Sequence, residues 1–359
     1  MTHTGPPATM RDAAADPPSL PGLMRLGPEE VTPVLFTALQ TGAVVAPADA
    51  AVLAVSGPGA VLCIQGLLTN DLEKPGDDAF VYGALLTPKG MIVVDGWAAR
   101  QGTTVTYTVP ADTRERALAI FTRALPPRLA RPRDRSAEVA VFRLAGPQAL
   151  VIAQAAGLGL PPAPGRVTRL TTGAVDWELA RASEQAPFAL QITAPASDAA
   201  RVTERLAAAG ALSAGPAALE CARILAGWPR LGAEVDDKTI PQEVRFDELG
   251  GVSYTKGCYT GQETVSRLHF RGHVNRSLRG LLFDAEPADG APGVVHLDRE
   301  AGRVTSVMWA PEPRVAGGGR WIGLAMLRRE VGPGAVVRAG GRDARVVDLP
   351  FVVPFTAPA

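Results

Sequence analysis

The chain has 359 residues, with 36 Lys+Arg against 36 Asp+Glu and a formal net charge of +0, so overall charge disfavours a nucleic-acid binder with a globally basic surface. Hydrophobic residues make up 47%, and Gly and Pro, 38 and 32 residues, stay below the level at which disorder becomes the default; the length predicts two or three domains. Cys63, Cys221 and Cys258 are too irregularly spaced for a disulfide framework or a CxxC site, and neither a signal-like N-terminus nor a run of 18 apolar residues occurs, which together predict a cytoplasmic protein with no membrane association.

Residues 1–26 are rich in Ala, Pro and Thr without periodicity, and Pro6, Pro7, Pro17, Pro18 and Pro21 remove backbone donors, so a disordered tail is expected. Order is expected from Gly27: Pro28 suits a first helical turn, Glu29 and Glu30 face the positive end of the helix dipole, and Gly42 suits the stop. A second short helix should follow Pro58, carry Val61, Leu62, Gln65 and Leu68, and end near Asn70. The β-branched runs 91–99 and 103–109 predict strands separated by Gly102. In 112–125, Asp112 caps a helix with Glu115 three residues on, and Pro126-Pro127 ends it. Residues 126–135 and 161–164 read as connections.

The same grammar recurs, with strands over 174–180 and 188–193 and a helix over 198–210. The expected organisation is therefore a first α+β module over 27–135 and a second over 136–274. Beyond 275, short apolar runs between Gly, Pro and charged turns predict an all-β domain over 275–359, a small barrel or sandwich with Gly340-Gly341 as a hairpin turn.

Functional side chains concentrate in residues 241–276. Cys258 lies in a glycine-rich stretch, with Lys256 before it and Arg267 and Arg271 after it; nearby cations favour a thiolate, so a reactive thiol competes here with a small apolar residue. Cys63 and Cys221 sit in apolar helical contexts and read as core. His269 and His273 have helical spacing for a metal, but Gly272 intervenes and no third ligand is close, so no metal is expected. No phosphate loop, dinucleotide fingerprint or GxSxG elbow is present. Glu220 and Arg223, three apart, share a helix face and could simply pair. Asp95 is a charge inside an apolar strand and a site candidate for that reason.

KGCYTGQE (256–263), followed by the arginines of SRLHFRGHVNRSL, resembles the signature of the YgfZ family of folate-binding proteins, relatives of the glycine-cleavage aminomethyltransferases (GcvT). VSGPGAVLCIQGLLTNDL (55–72), YGALLTPKGMIVVDG (82–96), ARILAGWPRLGAEVDDKTIPQEV (222–244) and GRVTS (302–306) fall in the family's order. The resemblance implies an α+β fold: ferredoxin-like modules around a central cavity that takes tetrahydrofolate, plus a C-terminal antiparallel β-barrel. It also implies a monomeric accessory protein that supports assembly or repair of iron–sulfur proteins, its transient clients, with no DNA partner. Cys258, Lys256 and Asp95 would carry the chemistry; Tyr259, Gln262, Glu263, Arg267, Arg271 and Arg223 would serve the folate.

Three positions depart from the pattern. Adjacent aspartates of the aminomethyltransferases are reduced to Asp95, a glutamate of their LRLEAG segment is replaced by Leu225, and a folate-contacting Trp of bacterial YgfZ members is absent near Ala50. Two rival readings remain: a folate-dependent aminomethyl or one-carbon transferase using Asp95, and an RNA-associated protein using the arginines of 267–279. The charges themselves are blocked: Glu234–Glu248 holds six acids and two bases, Lys256–Arg279 five bases and one acid. That pattern predicts one localised anion site.

Overall fold

The computed structural model describes residues 23–172, 175–290, 292–312 and 317–351. Most of the tail expected to be disordered lies outside these residues, but its residues 24–26 form a strand, β1 (Met24–Leu26), paired in parallel with the C-terminal domain. The helix expected at Pro28 begins instead at α1 (Pro33–Thr41), with Thr32 in extended geometry and its hydroxyl accepting from the Leu35 amide at 3.2 Å. A residue before proline is driven out of the helical region, so a helix begun at Pro28 could not run through Thr32-Pro33.

The first sheet uses β3 (Ala50–Ser56), β4 (Phe80–Leu86), β5 (Ile92–Gln101), β6 (Thr104–Pro110) and β7 (Arg131–Asp134), and follows β2 (Val44–Pro47) in the chain. Its strand order is β4-β5-β6-β3-β7. Helices α2 (Ala60–Gln65) and α3 (Arg114–Ala124) cover one face, where Leu53, Ile64, Leu68, Val94, Tyr107 and Phe121 are buried together. The stretch 126–135, expected as a connection, contains edge strand β7; its arginines alternate on an exposed rim and disguise it as a charged loop.

The second sheet takes β8 (Val139–Ala145), β9 (Arg166–Thr172), β10 (Val175–Arg181), β11 (Leu190–Pro195) and β12 (Leu212–Ser213). It also recruits β2, giving the order β12-β2-β8-β11-β10-β9, so residues 44–47 leave the expected first module. Helices α4 (Ala149–Ala155) and α5 (Ala199–Ala208) cover it over Phe142, Leu144, Trp177, Ile192 and Leu206. Helix α6 (Ala217–Ala226) leads into a segment with little regular structure that ends in α7 (Gln262–Arg271).

The last strands are β13 (Arg276–Phe283), β14 (Gly293–His296), β15 (Arg299–Pro311), β16 (Gly319–Arg328), β17 (Val336–Ala339) and β18 (Arg342–Val347). They run β15-β14-β17-β18-β13-β16 and close through β15–β16 pairing, a six-stranded antiparallel barrel whose β17–β18 hairpin turns at Gly340-Gly341. The faces of the sheets that the helices leave free share one further core with α1, α6 and the barrel, including Tyr82, Trp97, Phe188, Trp228, Phe246 and Met308. Among the described residues, no helix is long and apolar enough to cross a membrane.

One buried ion pair fastens α6 to the barrel. Arg223 meets Glu234 at 2.9 Å, and Glu234, 0% exposed, also accepts from the hydroxyls of Thr305 (2.8 Å) and Ser306 (2.6 Å) and from the Arg230 amide (3.0 Å). Glu234→Ala would break the buried pair and leave Arg223 with Glu220 as its remaining carboxylate, an expected loss of about 3 kcal/mol in urea denaturation. Asp343→Ala, which removes a 4.0 Å pair on the exposed barrel surface, should change stability by less than about 1 kcal/mol.

Candidate functional site

Where the two sheets, α6 and β1 converge, the chain encloses a cavity of about 350 Å³. Strand alternation explains its walls: Val94 and Ala98 of β5 face the helices, whereas Asp95 and Trp97 face the cavity. Gly96 between them is required by crowding, since a Cβ there would lie 2.4 Å from the Thr108 carbonyl oxygen.

Asp95 is 7% exposed. Its Oδ2 accepts from the Tyr82 hydroxyl at 2.7 Å, while Oδ1 is buried without a partner. Burial pushes its carboxyl up to about 6, opposed by the Tyr82 hydrogen bond. Arg143 of β8 enters the same cavity, its guanidinium 4.4 Å over the Phe188 ring and loosely bonded to Gln191 at 3.4 Å. Burial draws Arg143 down to about 10, and the Asp95 carboxylate acts in the opposite direction. Tyr82, Trp97, Phe188 and Trp228 supply an aromatic wall; Trp97 and Trp228 are stacked at 5.7 Å and Tyr82 meets Trp228 at 4.5 Å. The result is a flat apolar surface with one buried free acceptor, Asp95 Oδ1, and one cation, Arg143, that enters no ion pair among the described residues.

Of the residues singled out from sequence as possible carriers of chemistry, Asp95, Glu220 and Arg223 line this cavity; Lys256, Cys258, Tyr259, Gln262, Glu263, Arg267 and Arg271 do not. Arg223 cannot serve a ligand freely, because its nitrogens are held by Glu220 (2.7 Å), Glu234, the Trp228 carbonyl (2.7 Å) and Ser306 (2.8 Å). It is a strut of the wall. Sequence reasoning missed Tyr82, Trp97, Arg143, Phe188 and Trp228. Arg143 carries the signal that marked Asp95, a charge inside an apolar strand.

The KGCYTGQE loop lies elsewhere. Lys256, expected beside the thiol, points inward and donates to the carbonyls of Gln65 (2.6 Å), Leu68 (2.6 Å) and Asn70 (2.9 Å) at the end of α2. Burial lowers its ammonium to about 8, against the pull of Asp71 and Glu73. Tyr259 is buried under it, the ammonium 5.0 Å from the ring centroid, with a hydroxyl that has no partner. Gly261 turns the chain into α7 at φ +83, where a Cβ would strike the Thr87 carbonyl at 2.6 Å. Gln262 and Glu263 open α7, with Glu263 at the positive end of its dipole.

Cys258 is exposed at this turn, Cys63 half-buried, and Cys221 buried, its thiol pushed up to about 12 by burial. Arg267 and Arg271 are exposed and enter no ion pair among the described residues. The rest of the basic block is consumed: Arg276 pairs with Asp236 (3.1 Å) and Glu243 (3.0 Å), and Arg279 with Asp348 (3.0 Å). The expected single anion site over Lys256–Arg279 is therefore not assembled. His269 stacks on Tyr254 at 3.6 Å and approaches Asp247 at 3.2 Å.

Residues 44–249 match the family described as the GCVT N-terminal domain. An aminomethyltransferase of Rubrobacter xylanophilus is 31% identical over 309 residues, 83% of this chain and 80% of that protein. A tRNA-modifying protein YgfZ of Vibrio vulnificus is 35% identical over 127 residues, 34% of this chain and 38% of that protein. Among solved structures, the glycine cleavage system aminomethyltransferase T from Bartonella henselae superposes with a TM-score of 0.71 at 19% identity, covering 89% of both chains.

Lys256→Met leaves three carbonyls without their cation; hydrogen bonds to charged groups are each worth about 1.5–3 kcal/mol, so a stability loss of about 2–3 kcal/mol is expected, with faster proteolysis within residues 250–261. Limited proteolysis with mass mapping checks this.

Proposed function

This chain belongs to the GCVT family of aminomethyltransferases and YgfZ proteins, and on that premise we propose that it binds a reduced folate against Asp95 and supports iron–sulfur protein assembly or repair through Cys258. One observation carries the binding half: a buried carboxylate oxygen without a partner, set in an aromatic-walled cavity of about 350 Å³. A buried acceptor left unpaired is costly unless a ligand satisfies it. The pyrimidine edge of a pterin presents N–H donors, and its flat face suits Trp97, Trp228 and Tyr82. Tyr82 fixes the other oxygen of Asp95, which holds the free one toward the cavity. Arg143 offers a positive charge to the anionic part of the ligand. Trp97 and Trp228 supply aromatic surface in a chain that has Ala50, itself on the cavity wall, near where YgfZ members carry a Trp. Bound tetrahydrofolate supplies a carrier for one-carbon units.

The accessory reading is favoured over a transferase by two positions. Val94, beside Asp95, is buried against the helices, and Leu225 is buried in the shared core. Neither brings a second carboxylate to the cavity, and Glu220 on its wall is held by Arg223 at 2.5 Å and Arg230 at 3.6 Å. Among the described residues of the lining, Asp95 is then the one buried carboxylate with an unsatisfied oxygen; Asp49 and Asp112 also line the cavity but are exposed. Cys258, exposed on a separate surface, is accessible to a client protein while the cavity is filled.

Calorimetric titration with 5-formyltetrahydrofolate should show binding that Asp95→Asn weakens at least about tenfold, the scale of one lost charge-assisted hydrogen bond. No heat at millimolar ligand would sink the proposal. Affinity should also fall below a pH of about 6, as Asp95 takes up a proton. The unliganded protein behaves oppositely. Because the folded carboxyl titrates near 6 rather than 3.8, its contribution to stability is fully present below the unfolded value and lost as pH rises through 6. Asp95→Asn should therefore stabilise the unliganded protein at pH 7 by up to about 3 kcal/mol in thermal or urea unfolding.

For the thiol, Cys258→Ala should abolish cellular activity of iron–sulfur enzymes at normal protein levels with folate binding retained. Equal loss from Cys63→Ala would contradict a special role for Cys258.

A further inference from the structure

Positive charge collects without compensation where α3 turns into β7. Residues 122–133 hold four arginines and no acid. Arg133 pairs with Glu138 at 2.6 Å. Arg123, Arg128 and Arg131 are exposed and enter no ion pair among the described residues, Arg131 donating to the Pro127 carbonyl at 3.0 Å. Helix α3 packs along β7, and the turn between them closes tightly, the amides of Leu129 and Ala130 donating to the Pro126 carbonyl at 2.9 and 3.0 Å. The three arginines therefore sit together at one end of the α3–β7 pair.

Two leucines that ought to be buried lie beside them. Leu129, between Arg128 and Arg131, is 45% exposed, and Leu62 of α2 is 68% exposed. They adjoin. The Gly59 amide donates to the Leu129 carbonyl at 2.9 Å, and a Cβ on Gly59 would lie 2.9 Å from the Leu129 Cβ. Leu62 is three residues beyond Gly59 on the same side of α2, and helical side chains lean back toward the preceding turn, which is the one against Leu129. Residues 56–70 carry no charge, so nothing in this segment neutralises the arginines.

The other end of α2 carries the motif loop. Lys256 holds the Gln65 carbonyl, and the Thr260 amide donates to the Gly66 carbonyl at 3.1 Å. The six residues of α2 span about 9 Å, well within the ~800 Å² that one partner covers in a standard interface. One bound protein can therefore cover the leucines and reach the exposed Cys258.

We propose that Leu62 and Leu129, with Arg123, Arg128 and Arg131, form a docking surface for an acidic amphipathic segment of a partner protein. The proposal rests on the reading that Cys258 serves a client, and assigns the surface that holds that client in place. Charge complementarity selects the occupant: carboxylates satisfy the arginines while an apolar side chain covers the leucines. A second copy of this chain meeting the same surface about a two-fold axis would set arginine against arginine. An RNA strand would leave the leucines bare, and neither 58–66 nor 122–133 contains an aromatic ring on which a base could stack.

The test is fluorescence anisotropy with a labelled helical peptide bearing leucines on one face and glutamates on the other, against a single-stranded RNA oligonucleotide of the same length. The peptide should bind, about tenfold more weakly to Leu62→Ser, the scale of one buried leucine. Replacing all three arginines by Gln should weaken it similarly and remove most of its salt dependence. Cys258→Ala should bind as the wild type does. No peptide binding at millimolar concentration, binding unchanged by Leu62→Ser in protein with an unchanged melting curve, or tighter binding of the RNA would overturn the docking surface. In cells, Leu62→Ser should lower the activity of iron–sulfur enzymes with the alkylation rate of Cys258 unchanged; full activity at normal protein levels would also overturn it. Full cellular activity of Cys258→Ala beside a defective Leu62→Ser would sink the thiol reading and leave the docking surface standing.

Discussion

The buried pair of Arg223 and Glu234 is the constraint on which the architecture turns. Charges removed from water are tolerated only when almost every donor and acceptor is satisfied. Glu234 meets that condition with partners from α6, from the 230 backbone and from β15. The same guanidinium holds the Trp228 carbonyl, so the residue that fixes the barrel against α6 also fixes an aromatic wall of the cavity. Asp95, which lines the same cavity as Arg223, is the opposite case: one oxygen satisfied and one left open. Contrast between a saturated carboxylate and an open one separates strut from site.

The motif loop and the cavity occupy different places but are mechanically joined. Asn70 Nδ2 donates to the Tyr82 carbonyl and to the Gly250 carbonyl, each at 2.7 Å, and Phe246 rests 5.0 Å from the Tyr82 ring. Lys256 adds three bonds to the same 65–70 segment. The loop bearing Cys258 is therefore built on the strand that bears Tyr82, and Tyr82 holds Asp95. The motif loop, which does not line the Asp95 cavity, is thus anchored to the strand that supplies part of that cavity's wall.

Much of this was legible in the sequence where one period dominates. The strands at 92–101 and 104–110, the helix at 114–124 and the barrel strands other than β14 stand where alternation or helical spacing placed them. β7 escaped because arginines on an exposed edge imitate a linker, and β1 because proline-rich surroundings hide three residues that pair only with a distant strand. At the site, a charge in an apolar strand identified Asp95. The rings of residues 82, 97, 188 and 228 meet only through the tertiary fold, which no spacing reports. Lys256 misled for the same reason: its neighbour in sequence is Cys258, but its partners lie nearly 190 residues upstream. The two charge blocks likewise resolve into each other through Arg276, Asp236 and Glu243.

A crystal structure of the protein with a bound reduced folate tests the central claim most directly. The account predicts the pterin in the cavity against Trp97 and Trp228, with a ring N–H within hydrogen-bond distance of Asp95 Oδ1 and Cys258 apart from the ligand. A folate bound at the KGCYTGQE loop, with Asp95 Oδ1 still unpaired, would contradict it.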